Sequence, residues 1–147
     1  MYESYTRQAL PSKKYRELLG TALCVFNSNN NFVIENILRV DQTGQYDWHK
    51  LIDKVSGGLT DDIEKTITAN SDQTIANLFN DIVYMRNRIV HSFQITAPAG
   101  LTDDQDNQML ATKHRDGTQE IITEEYLMRF IEKNQELSTK LHQFRGF

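Results

Sequence analysis

Arg86, Asn87 and His91 lie close together in the stretch Tyr84-Met85-Arg86-Asn87-Arg88-Ile89-Val90-His91-Ser92-Phe93. Histidine, with an ordinary pKa of about 6.5, takes up or gives back a proton near neutrality. A planar guanidinium grips a phosphate through two N–H groups and offsets the charge that builds up on phosphorus during substitution. An amide beside them can bind phosphate or hold the imidazole. These residue types suit RNA cleavage without a metal, in which the ribose 2′-hydroxyl attacks the neighbouring phosphorus. The products are a 2′,3′-cyclic phosphate and a free 5′-hydroxyl. The plainer account is a helix C-terminus carrying cations toward the negative end of its dipole, and Arg88 fits that account equally well.

These residues need a helix to place them. Ile75, Leu78, Phe79, Ile82, Val83, Arg86, Ile89 and Val90 recur at steps of three and four, which predicts an amphipathic helix capped by Ser71. On such a helix Asn87 and His91 are about 40° apart in projection, while Arg86 lies about 100° round from Asn87. The three share one side only if the last turn before Ser92 loosens.

Residues 1–11 read as a polar arm that ends at Pro11, and Ser12 can cap a helix starting at Lys13. Tyr15, Leu19, Ala22, Phe26, Asn30, Val33, Ile37 and Val40 then keep one helical phase. Asn27 to Asn31 are poor helix formers, so the helix either carries them on a buried face or breaks in two. The unbroken stripe favours one long helix. Cys24 is expected in the core. Asn29 and Asn30 either border a polar cleft near the motif or a dimer seam, or mark a slight bend.

After a turn at Asp41 to Gln45, Trp48, Leu51, Ile52 and Val55 predict a short amphipathic helix ending at Gly57-Gly58. Thr60 starts another, with Asp61, Asp62 and Glu64 at its positive end. Pro98 and Gly100 interrupt the chain beyond the motif. Met109 to His114 and Gln119 to Ile122 flank an Asp116-Gly117 turn, which predicts a β-hairpin. Thr123 caps a last helix whose inner face carries Tyr126, Leu127, Phe130, Ile131, Leu137, Leu141 and Phe144. The expected fold is therefore all-α: one domain over 1–147, an antiparallel helical bundle with a small hairpin at 108–122 inserted before the last helix.

The remaining titratable residues carry less. His49 is expected at the surface, and His142 as a cation complementing the end of the last helix. Lys113, His114 and Arg115 at the hairpin tip make either a solvated turn or, with Arg88, an RNA-gripping finger. Asp103, Asp104 and Asp106 lack the glycine and distal glutamate of a calcium loop and are expected to be solvated, so no metal site is assigned.

With 147 residues, the chain is long enough for an unstapled core. Cys24 is the only cysteine, which rules out an intrachain disulfide and fits a reducing, cytoplasmic setting. A net charge of −4 argues against bulk coating of nucleic acid, though not against a small RNA-cleaving site with local cations. No apolar run approaches the roughly 20 residues of a membrane span, and the first residues lack the order of a secretion signal.

Arg86-Asn87-Arg88-Ile89-Val90-His91 resembles the R-[polar]-X-X-X-H signature of HEPN domains. These are helical domains found in toxin–antitoxin, abortive-infection and other phage-defence ribonucleases. The place of the motif, late in a bundle and after a long first helix, is also similar to that family. The resemblance implies Arg86 and His91 as the catalytic pair and Asn87 as the accessory polar residue. It further implies a homodimer in which two motifs face each other across a cleft, an RNA substrate, no cofactor, and an antitoxin or other regulatory protein as a further partner. The other implication of the same resemblance is a HEPN module without catalysis that binds nucleotide or a partner protein.

Overall fold

The computed structural model describes residues 2–101 and 108–146. Asp103, Asp104 and Asp106 lie outside them. Five α-helices and three strands carry the described residues: α1 Lys13–Val40, α2 Trp48–Asp53, α3 Thr60–Lys65, α4 Thr74–Val90, β1 Phe93–Thr96, β2 Gln108–Lys113, β3 Gln119–Ile122 and α5 Glu124–Arg145. No helix among them is long and apolar enough to cross a membrane.

The long first helix is continuous through its asparagines. Ser12 Oγ accepts the Tyr15 N–H at 3.1 Å, the cap the sequence predicts. Tyr15, Ala22, Phe26, Val33, Ile34 and Ile37 are buried along one side, and burial of that stripe outweighs the poor helical preference of the residues between. Cys24 departs from expectation and is exposed. At 100° per residue it points about 160° away from both Ala22 and Phe26, so the apolar run around it is not evidence of burial on all sides.

Helix α5 lies along α1, with the Phe26 and Phe130 ring centroids 6.1 Å apart. Thr123 Oγ1 accepts the Tyr126 N–H at 3.1 Å, as predicted. Helix α2 is shorter than its apolar pattern suggests. Leu51 is buried, whereas Trp48, Ile52 and Val55 are exposed.

Helix α4 begins three residues after Ser71, and Ser71 does not cap it. The Ser71 hydroxyl donates back to Ile67 O, and Asp72 Oδ1 accepts the Thr74 N–H at 2.9 Å. An aspartate one residue nearer the helix competes better for that amide.

The fold is not purely α-helical. The expected hairpin is present, with Gly117 at φ +92° in its turn, a backbone region that glycine enters without steric cost. It belongs to a three-stranded antiparallel sheet of order β1-β2-β3. Phe93 pairs with Ala111 and Thr96 with Gln108, so the chain just past the motif forms an edge strand. Tyr15 ties α1 to this sheet: its hydroxyl donates to Ile122 O at 2.5 Å and accepts the Leu110 N–H at 3.3 Å. The arm before Pro11 docks onto the same region. Arg16 Nε donates to Pro11 O at 2.9 Å, and Gln94 Nε2 to Ala9 O at 2.6 Å.

Candidate functional site

Ile75, Ala76, Leu78, Phe79, Ile82, Val83 and Ile89 bury one face of α4, and that burial fixes what the opposite face presents. The helix stays regular to its end. The His91 N–H still bonds Asn87 O at 3.0 Å, and only at Ser92 does the chain tighten, with an N–H bond to Ile89 O at 3.3 Å. The last turn therefore does not loosen, and ideal geometry puts Arg86 and His91 about 140° apart around the axis.

Each motif residue then has its own surroundings. Arg86 is half-buried, with its guanidinium carbon 5.5 Å from the centre of the Phe26 ring on α1. Its Nη1 donates to Asn87 Oδ1 at 3.2 Å, so the structure brings these two together. His91 is exposed at the C-cap position, φ −97° and ψ 27°, outside that pair.

Arg88 turns toward the hairpin. Its Nη1 donates to Lys113 O, its guanidinium carbon lies 5.6 Å from the Tyr84 ring centre, and its Nε is sealed from solvent without a partner among the described residues. The contact ties the end of β2 to the motif helix. Lys113 and Arg115 are exposed, and His114 is partly buried.

His114 does not stand free as a cation at the hairpin tip. Its Nε2 lies 3.0 Å from Glu120 Oε1, and its Nδ1 lies 2.5 Å from the Tyr84 hydroxyl. With the carboxylate holding the Nε2 proton, Nδ1 is the acceptor and the phenol donates to it. Tyr126 on α5 sits against this cluster. Burial, then the charges of Glu120 and Tyr84, push its phenol up to about 12, against the opposing pull of Arg129 and Arg88.

Sequence reasoning reached Arg88 and His114 but missed Tyr84 and Glu120. Tyr84 and Arg88 are four apart on a helix, a legible signal. Glu120 could be paired with His114 once the hairpin register was fixed by the turn. Among the described residues no group of three or more His, Cys, Asp or Glu gathers as a metal-ligand set.

No protein-family model, curated protein or solved structure matches this chain.

Proposed function

We propose that the chain is a metal-independent endoribonuclease of the HEPN kind, acting as a homodimer on RNA and held in check by an antitoxin or other regulatory protein. The observation that carries this reading is His91: an exposed imidazole at the end of the motif helix, with the Arg86–Asn87 pair one turn before it. His91 moves the proton of the attacking 2′-hydroxyl or of the departing 5′-oxygen, and Arg86 carries the phosphorane charge with Asn87 holding its fork. Because about 140° separates the two side chains on one helix, a site formed by two copies is the arrangement in which the guanidinium of one meets the imidazole of the other. Arg88, Lys113 and Arg115 supply cations for the RNA backbone beside it.

One observation favours the rival, a non-catalytic module that binds nucleotide or a partner protein. Arg86 packs on Phe26 and bonds its neighbour, a sufficient structural role for an arginine. RNA incubated with the protein in excess chelator separates the two. Cleavage that leaves a cyclic phosphate, lost in both His91→Ala and Arg86→Ala, is the expected result. Intact RNA with the wild type, under conditions where the protein binds it, gives the module instead.

A further inference from the structure

Tyr84, His114 and Glu120 come from three different elements, α4, the β2–β3 turn and β3, and meet in one hydrogen-bonded row. The row is independent of Arg86 and His91. Its order is that of an activated nucleophile: a carboxylate fixes one imidazole nitrogen, and the other nitrogen takes the proton of a hydroxyl. The hydroxyl belongs to a half-exposed tyrosine, so a solute can reach it. The imidazole behind it is mostly covered, with a side-chain exposure of 22%.

A cation faces the same tyrosine. Arg88 lies over the Tyr84 ring and donates one N–H to Lys113 O. A positive charge beside the phenol favours an anionic substrate over a neutral one. Arg115 adds an exposed positive charge next to His114 in the turn. A polarised phenol beside a guanidinium charge matches a phosphoester better than a carboxylic ester, because the phosphoester keeps its negative charge through the reaction.

We infer that Tyr84, His114 and Glu120 form a second reactive site, at which the Tyr84 hydroxyl attacks a phosphodiester and is transiently phosphorylated. In that step Tyr84 Oη forms a bond to phosphorus as the bond to the leaving alcohol breaks. The phenol proton passes to His114 Nδ1, the leaving oxygen departs with the bonding pair, and that proton returns to it. Glu120 stabilises the imidazolium in between. Water acting at phosphorus then releases the phosphoester and restores the phenol.

The test uses the full chain with bis(4-nitrophenyl) phosphate as the probe, read by release of 4-nitrophenolate and by peptide mass spectrometry. The expected result is a phosphodiester adduct on Tyr84, formed in a burst of one nitrophenolate per chain and followed by slower release as water clears the adduct. Tyr2 and Tyr5 are more exposed than Tyr84 and serve as internal controls within the same sample; they should stay unmodified. Tyr84→Phe should abolish the adduct, and His114→Ala should slow it by about 100-fold or more, the usual contribution of a positioned base. Glu120→Gln should slow it less while keeping the hydrogen bond to Nε2. Thermal unfolding of each variant shows whether the hairpin remains docked, and Tyr84→Phe, which loses a single oxygen, keeps the test valid if His114→Ala unfolds. Labelling of Tyr84 no faster than of Tyr2 or Tyr5, or an equal rate in a folded His114 variant, overturns the assignment and leaves the row as a clamp between hairpin and helix.

Discussion

Asn29 on α1 and Asn134 on α5 are bound to each other inside the seam between the two longest helices. Asn29 Nδ2 donates to Asn134 O at 2.7 Å and to Asn134 Oδ1 at 3.0 Å, and Asn134 Nδ2 donates to Phe130 O at 2.9 Å. Both side chains are buried. The amides that interrupt the α1 stripe are thus matched within the chain and fix the register of one helix against the other. Neighbouring Asn30 plays a separate part, its Oδ1 accepting the Ser56 hydroxyl at 3.0 Å.

Replacing one member of this pair should cost more than replacing both. Asn29→Ala leaves the Asn134 Oδ1 without its donor in a dry seam, a loss of about 1–3 kcal/mol. An Asn29→Leu, Asn134→Leu double variant should recover much of that, because neither side chain then needs a hydrogen-bond partner. Urea unfolding of Asn29→Leu, Asn134→Leu and the double variant gives the coupling. Strictly additive losses would show that the amides do not depend on each other.

Stability should fall as pH rises from about 10 to about 12, and two buried tyrosines are the cause. Burial pushes the Tyr15 phenol up to about 12, opposed by the Leu110 N–H that bonds its oxygen; Tyr126 is pushed to a similar value. Both folded values lie above the unfolded value of about 10, so the folded chain holds these protons longer than the unfolded chain. Their contribution is complete below pH 10 and drains away as pH climbs toward 12. Tyr15→Phe should be less stable at neutral pH by about 1 kcal/mol, from the lost bond to Ile122 O, and should show a shallower alkaline slope. A slope identical to wild type in urea titrations from pH 9 to 12 would remove Tyr15 as a contributor.

Much of this architecture was legible because its signals are local. The α1 stripe held phase across five unfavourable residues, Ser12 and Thr123 announced their helices, and Asp116-Gly117 announced its turn. What escaped were features that depend on distant partners. Phe93–Thr96 is four residues long and pairs with a strand that starts twelve positions later, so nothing in its own composition marks it as β. Its neighbour, the motif, was legible as a list of residue types, but not as a geometry. Whether Arg86 turns to Phe26 or to His91 is decided by α1, which lies some sixty residues earlier in the chain. The same limit hid Glu120 behind His114.

Cys24 provides a direct check on which side of α1 is covered. As the only cysteine, and exposed, it should react with a maleimide in the native state at one label per chain, without denaturant. Cys24→Ser should shift stability by no more than about 0.5 kcal/mol, as expected for a surface position. Protection of the thiol that is lost on dilution would place it in an interface between copies; protection at every concentration would mean the helix is turned the other way.

Arg86 and His91 should separate cleanly in a stability measurement, whatever they do to RNA. Arg86 holds its guanidinium against Phe26, which is buried at 1% exposure, and bonds Asn87 Oδ1. Arg86→Ala removes a cation–π contact and the packing of the arginine stem, together about 1–2 kcal/mol for a partly desolvated pair. Arg86→Lys keeps the charge but loses the planar face and the fork, so it should recover only part of that. His91→Ala removes an exposed ring from a cap position whose backbone bond to Asn87 O does not depend on the side chain, and should stay within about 0.5 kcal/mol of wild type. Guanidinium unfolding at pH 7.5 therefore provides the control that activity assays need. A His91 variant inactive on RNA but fully stable has lost chemistry, whereas an Arg86 variant must be compared at a temperature where both proteins are folded. Equal and large losses of stability in both variants would mean that His91 is packed into the structure, and the proposal that it acts as a free acid–base would go with it.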